Sequence, residues 1–203
     1  MTSGTRWRIA RGGVIMAGMS GRLVAVTFAV IAGSFAIAGS SAGGAAGSAA
    51  VREKAASWAV SQNGLREVGA SNCGSQINRW QRQMGLKVPP CRVWCGAFVH
   101  QAFRRAGVQL SARLIDPHRS YYDAIAGRNG LRKVATGAIR RGDLVFYNFR
   151  EGAGLKASHV GIARDRPRDG SLATVEGNTA QAVRLEVRGM QYIVLAARVT
   201  GDA

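Results

Sequence analysis

Hydrophobic residues recur every three or four positions through the first half of the chain beyond residue 50, and this spacing predicts helices. Four segments show it: 51–60, 73–84, 94–106 and 117–127. The third is the strongest, because its apolar stripe is unbroken and Gly107 follows as a stop signal. Before the fourth, Asp116 predicts an N-cap and Pro117 the first helical position.

Beyond residue 130 the hydrophobic period shortens and turn residues separate the apolar runs, which predicts strands. The predicted strands span 131–135, 144–149, 159–165, 172–176, 183–187 and 192–199. Helices come first and strands later. This order predicts an α+β domain in which amino-terminal helices pack on an antiparallel β-sheet of about five to six strands.

The amino-terminal segment has a different pattern. Its start is basic and contains no acid: Arg6, Arg8, Arg11 and Arg22. An apolar run of 16 residues over 23–38 follows, with small residues before Gly39. This pattern predicts a signal peptide over 1–38. An uncleaved signal anchor is the alternative, although the run is shorter than the ~20 residues of a spanning helix.

Residues 39–50 are all Gly, Ser or Ala. This composition can bury very little surface and predicts a flexible linker. The remaining residues, 51–203, are enough for one domain of ordinary size.

Charge narrows the set of partners. The 203 residues include 28 Lys and Arg against 11 Asp and Glu, a net charge of +17. Without the four arginines of the predicted signal, 24 basic residues face 11 acidic ones, a net charge of +13. Such a domain is expected to concentrate on polyanions. The export signal favours an anionic cell envelope. Nucleic acid is not expected, because the arginines are not interleaved with aromatics and zinc-finger spacing is absent. An abundance of Arg without functional meaning is the other interpretation.

Three cysteines limit the redox and metal chemistry. Export to an oxidising compartment favours pairing, and Cys73 and Cys91 are the natural pair, which leaves Cys95 free. A bridge between them could contribute roughly 3 kcal/mol by loop closure. Three packed thiols are the alternative. Three cysteines without a helical pair of histidines do not suit a zinc site, so neither a metal nor a cofactor is expected.

A candidate site for acyl transfer emerges from three distant segments. Cys95 stands at the start of the strongest predicted helix, where the helix dipole and free N–H groups favour a thiolate. His159 stands at the beginning of a predicted strand. Glu176 and Asn178 end another. A Cys, a His and an acid or amide that meet in space form a nucleophile, a base and a group that orients the base.

Strand alternation refines this hypothesis. His159 shares a strand face with Gly161 and Ala163, and such small residues are expected to leave room for the thiol-bearing helix. If the two strands are neighbours, Glu176 or Asn178 can hold the second ring nitrogen of His159.

The other two histidines fit the site less well. His100 follows Cys95 by five residues, which places it about 140° around the same helix. His118 lies beside Pro117 in the first turn of its own helix, and we expect a solvated surface residue.

Four segments, in order, resemble the motifs of CHAP domains, the cysteine- and histidine-dependent amidohydrolase/peptidase family. These are WCGAFV at 94–99, GDLVFY at 142–147, SHVGIA at 158–163 and VEGNT at 175–179. Together they cover about 61–199. The related NlpC/P60 endopeptidases usually carry an Asp before the cysteine, where this chain has Trp94.

The resemblance implies a papain-like α+β fold and a peptidoglycan hydrolase. Carried over by position, Cys95 is the nucleophile, His159 the base and Glu176 the orienting residue. Asn178 is a further polar site residue, or replaces Glu176. The sequence departs from the family at Gly96, where Ala is commoner, and this change is expected to widen the pocket. The Cys95 backbone N–H is one expected oxyanion donor, with Asn72 and Ser71 as candidates for the second.

The sequence therefore predicts a secreted or envelope-associated cysteine amidase or endopeptidase that acts on peptidoglycan. Its expected partners are peptidoglycan and anionic wall polymers, with membrane contact only through an uncleaved amino-terminal segment. A monomer is expected. A wall-binding protein of the same fold with little turnover is the main alternative, and a basic nucleic-acid-binding protein is a more distant one.

Overall fold

The computed structural model describes residues 41–149 and 154–200, with side chains from Ser48 onward. The predicted signal segment 1–38 lies outside the described residues. Four α-helices overlap the four predicted helical segments. They are α1 (Ser41–Ser61), α2 (Ser75–Gln83), α3 (Cys95–Arg105) and α4 (Pro117–Ile125). Short 3-10 helices, which the sequence reading missed, cover Ala112–Ile115, Thr136–Ala138 and Met190–Tyr192.

The second half of the described chain forms one antiparallel sheet. Its strands are β1 (Leu131–Val134), β2 (Leu144–Tyr147), β3 (His159–Ala163), β4 (Ser171–Thr179), β5 (Ala182–Gly189) and β6 (Ile193–Val199). Their order across the sheet is β1-β6-β2-β3-β4-β5. Helices followed by a six-stranded antiparallel sheet confirm the predicted α+β class. The arrangement also matches what a papain-like fold requires, a helix with an amino-terminal Cys packed on a sheet that carries a His.

The helix α3 forms the centre of the larger core. Its first nine residues are all buried, and Phe98 belongs to the same buried cluster as Val160 and Ile162 of β3 and Val175 of β4. Gly177 brings β4 close to this helix, since a Cβ there would stand 2.5 Å from the Phe98 Cβ. A smaller core covers the opposite sheet face and contains Val145, Tyr147, Ala163, Leu172, Ile193 and Ala196.

The helix α1 begins earlier than the sequence pattern predicts. It starts at Ser41, inside the segment 39–50 that was predicted to be a flexible linker. That prediction of irregular backbone is wrong from Ser41 onward. The physical reason is that half of residues 41–50 are Ala, the residue with the highest helix propensity, which offsets the cost of the glycines.

The predicted cap of α4 is confirmed. The Asp116 carboxylate accepts hydrogen bonds from the backbone N–H groups of His118 and Arg119, at 3.0 and 3.4 Å. Pro117 follows as the first helical residue. These contacts satisfy two of the amide groups that a helix start leaves unpaired.

A buried ion cluster joins α1 to the sheet. Asp143 is fully buried and accepts two hydrogen bonds from Arg198 of β6, at 2.8 and 2.7 Å. Arg52 of α1 approaches the same carboxylate at 3.6 Å.

Among the described residues, no helix is both long and apolar enough to cross a membrane.

Candidate active site

Cys95 is the first residue of α3 and is 2 % exposed. Gly96 beside it does not widen the pocket, and that expectation is wrong. A Cβ at Gly96 would overlap the backbone carbonyl of Leu114. The missing side chain instead lets the 3-10 helix Ala112–Ile115 press against the start of α3 and close this side of the site.

His159 is the side chain with the largest favourable influence on the Cys95 thiolate. Burial alone would raise the pKa of Cys95. The hydrogen bond and charge of His159, with backbone hydrogen bonds from Val160 and Gly96, outweigh burial and lower that pKa below its ordinary value. A lowered pKa favours the thiolate, which is the nucleophilic form of cysteine.

His159 is the first residue of β3 and is held from the other side by Glu176. The Nε2 atom of His159 lies 3.0 Å from Oε2 of Glu176. An ionised carboxylate only accepts hydrogen bonds, so Nε2 carries a proton and Nδ1 is the atom left for Cys95. Burial alone would lower the pKa of His159, but the hydrogen bonds and charges of Cys95 and Glu176 raise it to about 9.

Glu176 is fully buried and surrounded by donors. Thr174 donates to Oε1 at 2.7 Å and Thr179 to Oε2 at 3.2 Å. Arg188 of β5 donates to both oxygens, at 3.0 and 2.7 Å. Burial alone would raise the pKa of Glu176, but the contacts with His159, Arg188 and Thr174 hold it well below its ordinary value. The carboxylate is therefore ionised at neutral pH.

The predicted strand alternation is right, but the face on which the helix packs was predicted wrongly. The helix α3 packs on the face that carries Val160 and Ile162, not on the face of His159 and Gly161. Gly161 instead accommodates Glu176, because a Cβ there would stand 2.7 Å from the Glu176 Cγ. His159 stands at the end of its strand and meets Cys95 there.

Asn178 does not take the place of Glu176 beside His159. Its Nδ2 donates to Oε1 of Glu67 at 2.8 Å and to Oδ1 of Asn72 at 3.0 Å. Glu67 also accepts from the indole Nε1 of Trp94 at 2.9 Å, and Trp94 directly precedes Cys95. Asn178 thus belongs to a neighbouring polar cluster that supports the start of α3.

The two candidates for the second oxyanion donor differ in their contacts. The Ser71 hydroxyl donates to the carbonyl of Val68 at 2.7 Å and accepts from the Cys73 N–H at 3.3 Å. It is occupied within its own turn. The amide of Asn72 is oriented by Asn178, which binds its oxygen. That contact leaves the Nδ2 end of Asn72 for other acceptors.

The remaining histidines have separate environments. His100 is buried, and burial and the charge of Arg104 lower its pKa despite an opposing contribution from the backbone of Leu110. His118 is not the solvated residue that the sequence predicted. It is half-buried, stacks edge-on against Tyr122, and its Nδ1 accepts from the Lys156 N–H at 2.9 Å.

The cysteine pairing is as predicted. Cys73 and Cys91 form a disulfide with Cα atoms 5.5 Å apart, and Cys95 is the free cysteine. The bridge lies between the start of α2 and the loop that leads into α3. It therefore anchors the segment from which Cys95 emerges.

A half-open groove of about 360 Å³ is lined by residues close in sequence to Cys95 and His159, although neither of the two is in its wall. Two of its wall residues are near the pair in sequence: Val93 is two residues before Cys95, and Ser158 is one residue before His159. The rest of the lining is mainly apolar, with Arg92, Asp116 and His118 as its charged or titratable members. Its apolar lining residues are Leu86, Val93, Ile115, Pro117, Leu155 and Ala157.

Three features of the site escaped the sequence reading. They are Arg188 on Glu176, Glu67 beneath Trp94, and the aromatic rings around His159. Tyr147 and Phe149 stand 5.9 and 5.8 Å from the imidazole, centroid to centroid. No local motif marks Arg188 or Glu67. Tyr147 lies within the strand motif at 142–147, where its alternation with Phe146 was an available signal.

Across residues 41–149 and 154–200, no group of three or more His, Cys, Asp or Glu side chains is arranged to hold a metal ion. The chemistry of the described site is that of its side chains. A polarised thiol, a base fixed in one tautomer and a buried carboxylate can together carry out nucleophilic attack on an acyl carbon and protonate the leaving group.

Comparison with solved structures finds a similarity to a Staphylococcus aureus protein described as similar to lipoprotein, of the NLP/P60 family. The identity is 15 %, the TM-score is 0.43, and the match covers 73 % of this chain and 41 % of that one. This chain therefore spans less than half the length of that protein. No protein-family model and no curated protein matches the sequence.

Proposed function

We propose that this protein is an exported cysteine-dependent peptidoglycan hydrolase, an amidase or endopeptidase of the CHAP type. The observation that carries the proposal is a continuous series of interactions from Cys95 through His159 to Glu176. Cys95 stands at the start of the buried helix α3. The four ordered sequence motifs support the same family. The wall substrate follows from that resemblance and from the charge of the chain.

The reaction follows from the protonation states. The thiolate of Cys95 attacks the carbonyl carbon of the substrate amide, and a tetrahedral oxyanion forms. The backbone N–H groups at the start of α3 stabilise that charge. His159 then protonates the leaving amine as the carbon–nitrogen bond breaks, which leaves a thioester. Water, deprotonated by His159, attacks the thioester and releases a carboxylic acid and the thiol.

The groove beside Val93 and Ser158 is where we place the substrate peptide. Its apolar wall suits an aliphatic side chain. Nδ1 of His118 accepts a backbone N–H, so the neutral ring carries its proton on Nε2 and can donate to a substrate carbonyl. Arg92 adds a positive charge at the groove, which suits a peptide that carries carboxylates.

The test is digestion of purified peptidoglycan by the full chain and by Cys95→Ala, followed by mass analysis of the fragments. We expect fragments from the wild type only, with new termini that identify the amide bond. Equal unfolding temperatures of the two proteins serve as the folding control. Equal fragment release by both proteins would contradict the nucleophile assignment.

The positive charge predicts how the protein is retained on the wall. At a net charge of +13 for residues 39–203, attraction to anionic wall polymers is screened by salt, with a Debye length of about 10 Å at 0.1 M. The fraction of Cys95→Ala protein that co-sediments with the same peptidoglycan should therefore fall as the salt concentration rises. Binding that does not change with salt would contradict the electrostatic part of the proposal.

A further inference from the structure

Arg188 makes the most extensive contact with the carboxylate that orients the imidazole. Its Nε donates to Oε1 of Glu176 at 3.0 Å and its Nη2 to Oε2 at 2.7 Å. This is a two-pronged guanidinium–carboxylate pair, which fixes orientation as well as charge. Oε2 also faces Nε2 of His159 at 3.0 Å. One carboxylate oxygen is therefore shared by the guanidinium and the imidazole.

The guanidinium is itself held in place. The ring of Phe149 lies 5.1 Å from the Arg188 Cζ atom, within the range of a cation–π contact. The side chain of Arg188 is 22 % exposed, so solvent screens its charge only partly. Glu186 approaches another nitrogen of the same group at 4.0 Å.

We propose that Arg188 is a positioning residue of the active site, which holds Glu176 in the one orientation that aims His159 at Cys95. This inference rests on the proposed function. Arg188 touches neither the thiol nor the imidazole in the described contacts, so it acts through Glu176. Its second effect is electrostatic, because it cancels part of the negative charge that Glu176 places near the thiolate.

Other ionisable groups around Glu176 constrain the expected pH effect. They are Tyr147 on β2, His159 on β3, Arg184, Glu186 and Arg188 on β5, and Cys95 on α3. Tyr147 stays a neutral phenol, because burial and then the charge of Glu176 raise its pKa. Loss of a cation favours the protonated form of each neighbouring acid. Removal of Arg188 therefore raises the pH at which the Cys95 thiolate forms.

Arg184 offers a matched control. It lies on the same strand and is the register partner of Glu176 in the sheet. It is exposed, and the guanidinium bonded to Glu176 in the described structure is that of Arg188. Arg184→Met therefore removes the same charge and a similar volume from the same strand without releasing the carboxylate.

The experiment measures the ultraviolet absorbance of the thiolate against pH, together with kcat and KM on peptidoglycan fragments. Because Cys73 and Cys91 are bonded to each other, Cys95 is the single free thiol of the sequence. The same titration of Cys95→Ala subtracts the tyrosine signal. The variants are Arg188→Met, Arg188→Lys and Arg184→Met in the full chain.

For Arg188→Met we expect the thiolate midpoint to rise by about half a pH unit or more, roughly a threefold fall in the ratio of thiolate to thiol. We expect kcat to fall at least about tenfold with KM little changed. Arg188→Lys should restore the thiolate midpoint but not kcat, since Lys lacks the planar fork. Arg184→Met should match the wild type.

Failures of the two proposals are distinguishable. A wild-type thiol that titrates like free cysteine would contradict the proposed function, whatever the Arg188 variants do. A folded Arg188→Met variant with the wild-type midpoint and kcat would overturn the role of Arg188 alone. If Arg188→Met does not fold, an Arg188→Lys variant with the full wild-type kcat would overturn it equally.

Discussion

Two glutamates connect to the start of α3, and the donors around them differ in charge. Glu176 reaches Cys95 through His159, and two of its partners, His159 and Arg188, are cationic or become so. Glu67 reaches the same helix through Trp94, and its donors are all neutral. They are the Trp94 indole, the Asn178 amide and the Asn72 backbone N–H, at 2.9, 2.8 and 2.8 Å.

The difference separates chemistry from support within one small region. A carboxylate paired with cationic and titratable groups controls protonation states, because each charge shifts the pKa of its neighbours. A carboxylate that accepts from neutral amides and an indole fixes positions only. Both clusters meet at the end of β4, which supplies Glu176 to one and Asn178 to the other.

The largest predicted effect is the difference in lost kcat/KM between Glu176→Gln and Glu67→Gln. The first change removes a charge that, together with Cys95, keeps His159 protonated, and it leaves an amide against Arg188. We expect kcat/KM on peptidoglycan fragments to fall about 10²- to 10⁴-fold, the usual contribution of general acid–base catalysis. In Glu67→Gln the Oε1 acceptor of Trp94 and Asn178 is kept, so the loss should stay within a few-fold.

The pH profile provides the control for this pair. His159 has a pKa raised to about 9, so it stays protonated below that pH and loses its proton above it. Activity of the wild type and of Glu67→Gln should fall together above about pH 9. If Glu67→Gln loses as much activity as Glu176→Gln at neutral pH, the division between the clusters is wrong.

Removal of the disulfide is expected to have a smaller effect, on stability, because the bridge adjoins the Glu67 cluster and not the Glu176 cluster. Cys73 follows Asn72, and Cys91 leads toward Trp94, so the bridge ties together both ends of the Glu67 cluster. A Cys73→Ser, Cys91→Ser double variant should lose about 3 kcal/mol in urea unfolding, from release of a closed loop. The wild-type protein under the same conditions, without reductant, is the reference.

The same double variant keeps the charged contacts of the Glu176 cluster. The thiolate titration of Cys95 should keep its wild-type midpoint, because His159, Glu176 and Arg188 are unchanged. A shifted thiolate midpoint with an unchanged free energy of unfolding would contradict this, because the bridge would then affect the ionisation of Cys95 and not the stability of the fold.

Sequence reasoning found the parts of the site that have local signatures. Cys95 stands where an apolar helical stripe begins, and His159 stands at the start of β3. Glu176 lies within β4, which continues to Thr179, beyond the predicted strand end at residue 176. Periodicity alone places Cys95 and His159 in their elements. The order of helices and strands likewise predicted the α+β class, since each element carries its own period.

Features that depend on pairing across the sheet could not be found this way. Arg188 is one of 28 basic residues. Strand register places Arg184 opposite Glu176 and Arg188 opposite Leu172, so only the reach of the Arg188 side chain brings it to the carboxylate. The roles of Gly96 and Gly161 were misjudged for the same reason. A glycine shows that space is needed, but the sequence does not say which neighbour fills it.

The smallest effect concerns Asn178, which the sequence assigned to the catalytic set and whose contacts lie in the Glu67 cluster. Its φ of 62° is in the left-handed region that Asn tolerates better than most residues. Asn178→Ala loses two hydrogen bonds and strains the backbone, and we expect a loss of about 1–3 kcal/mol in unfolding free energy. Asn178→Gly relieves the strain and should recover part of it.

Activity of the folded Asn178 variants decides between support and catalysis. If Asn178 only fixes Glu67 and Asn72, kcat should stay within a few-fold of the wild type at temperatures where the variants are folded. If kcat falls as far as in Glu176→Gln while stability is kept, Asn178 contacts the substrate or the reacting atoms. The comparison of Asn178→Ala with Asn178→Gly separates the two readings further, because backbone strain changes between them while the lost amide does not.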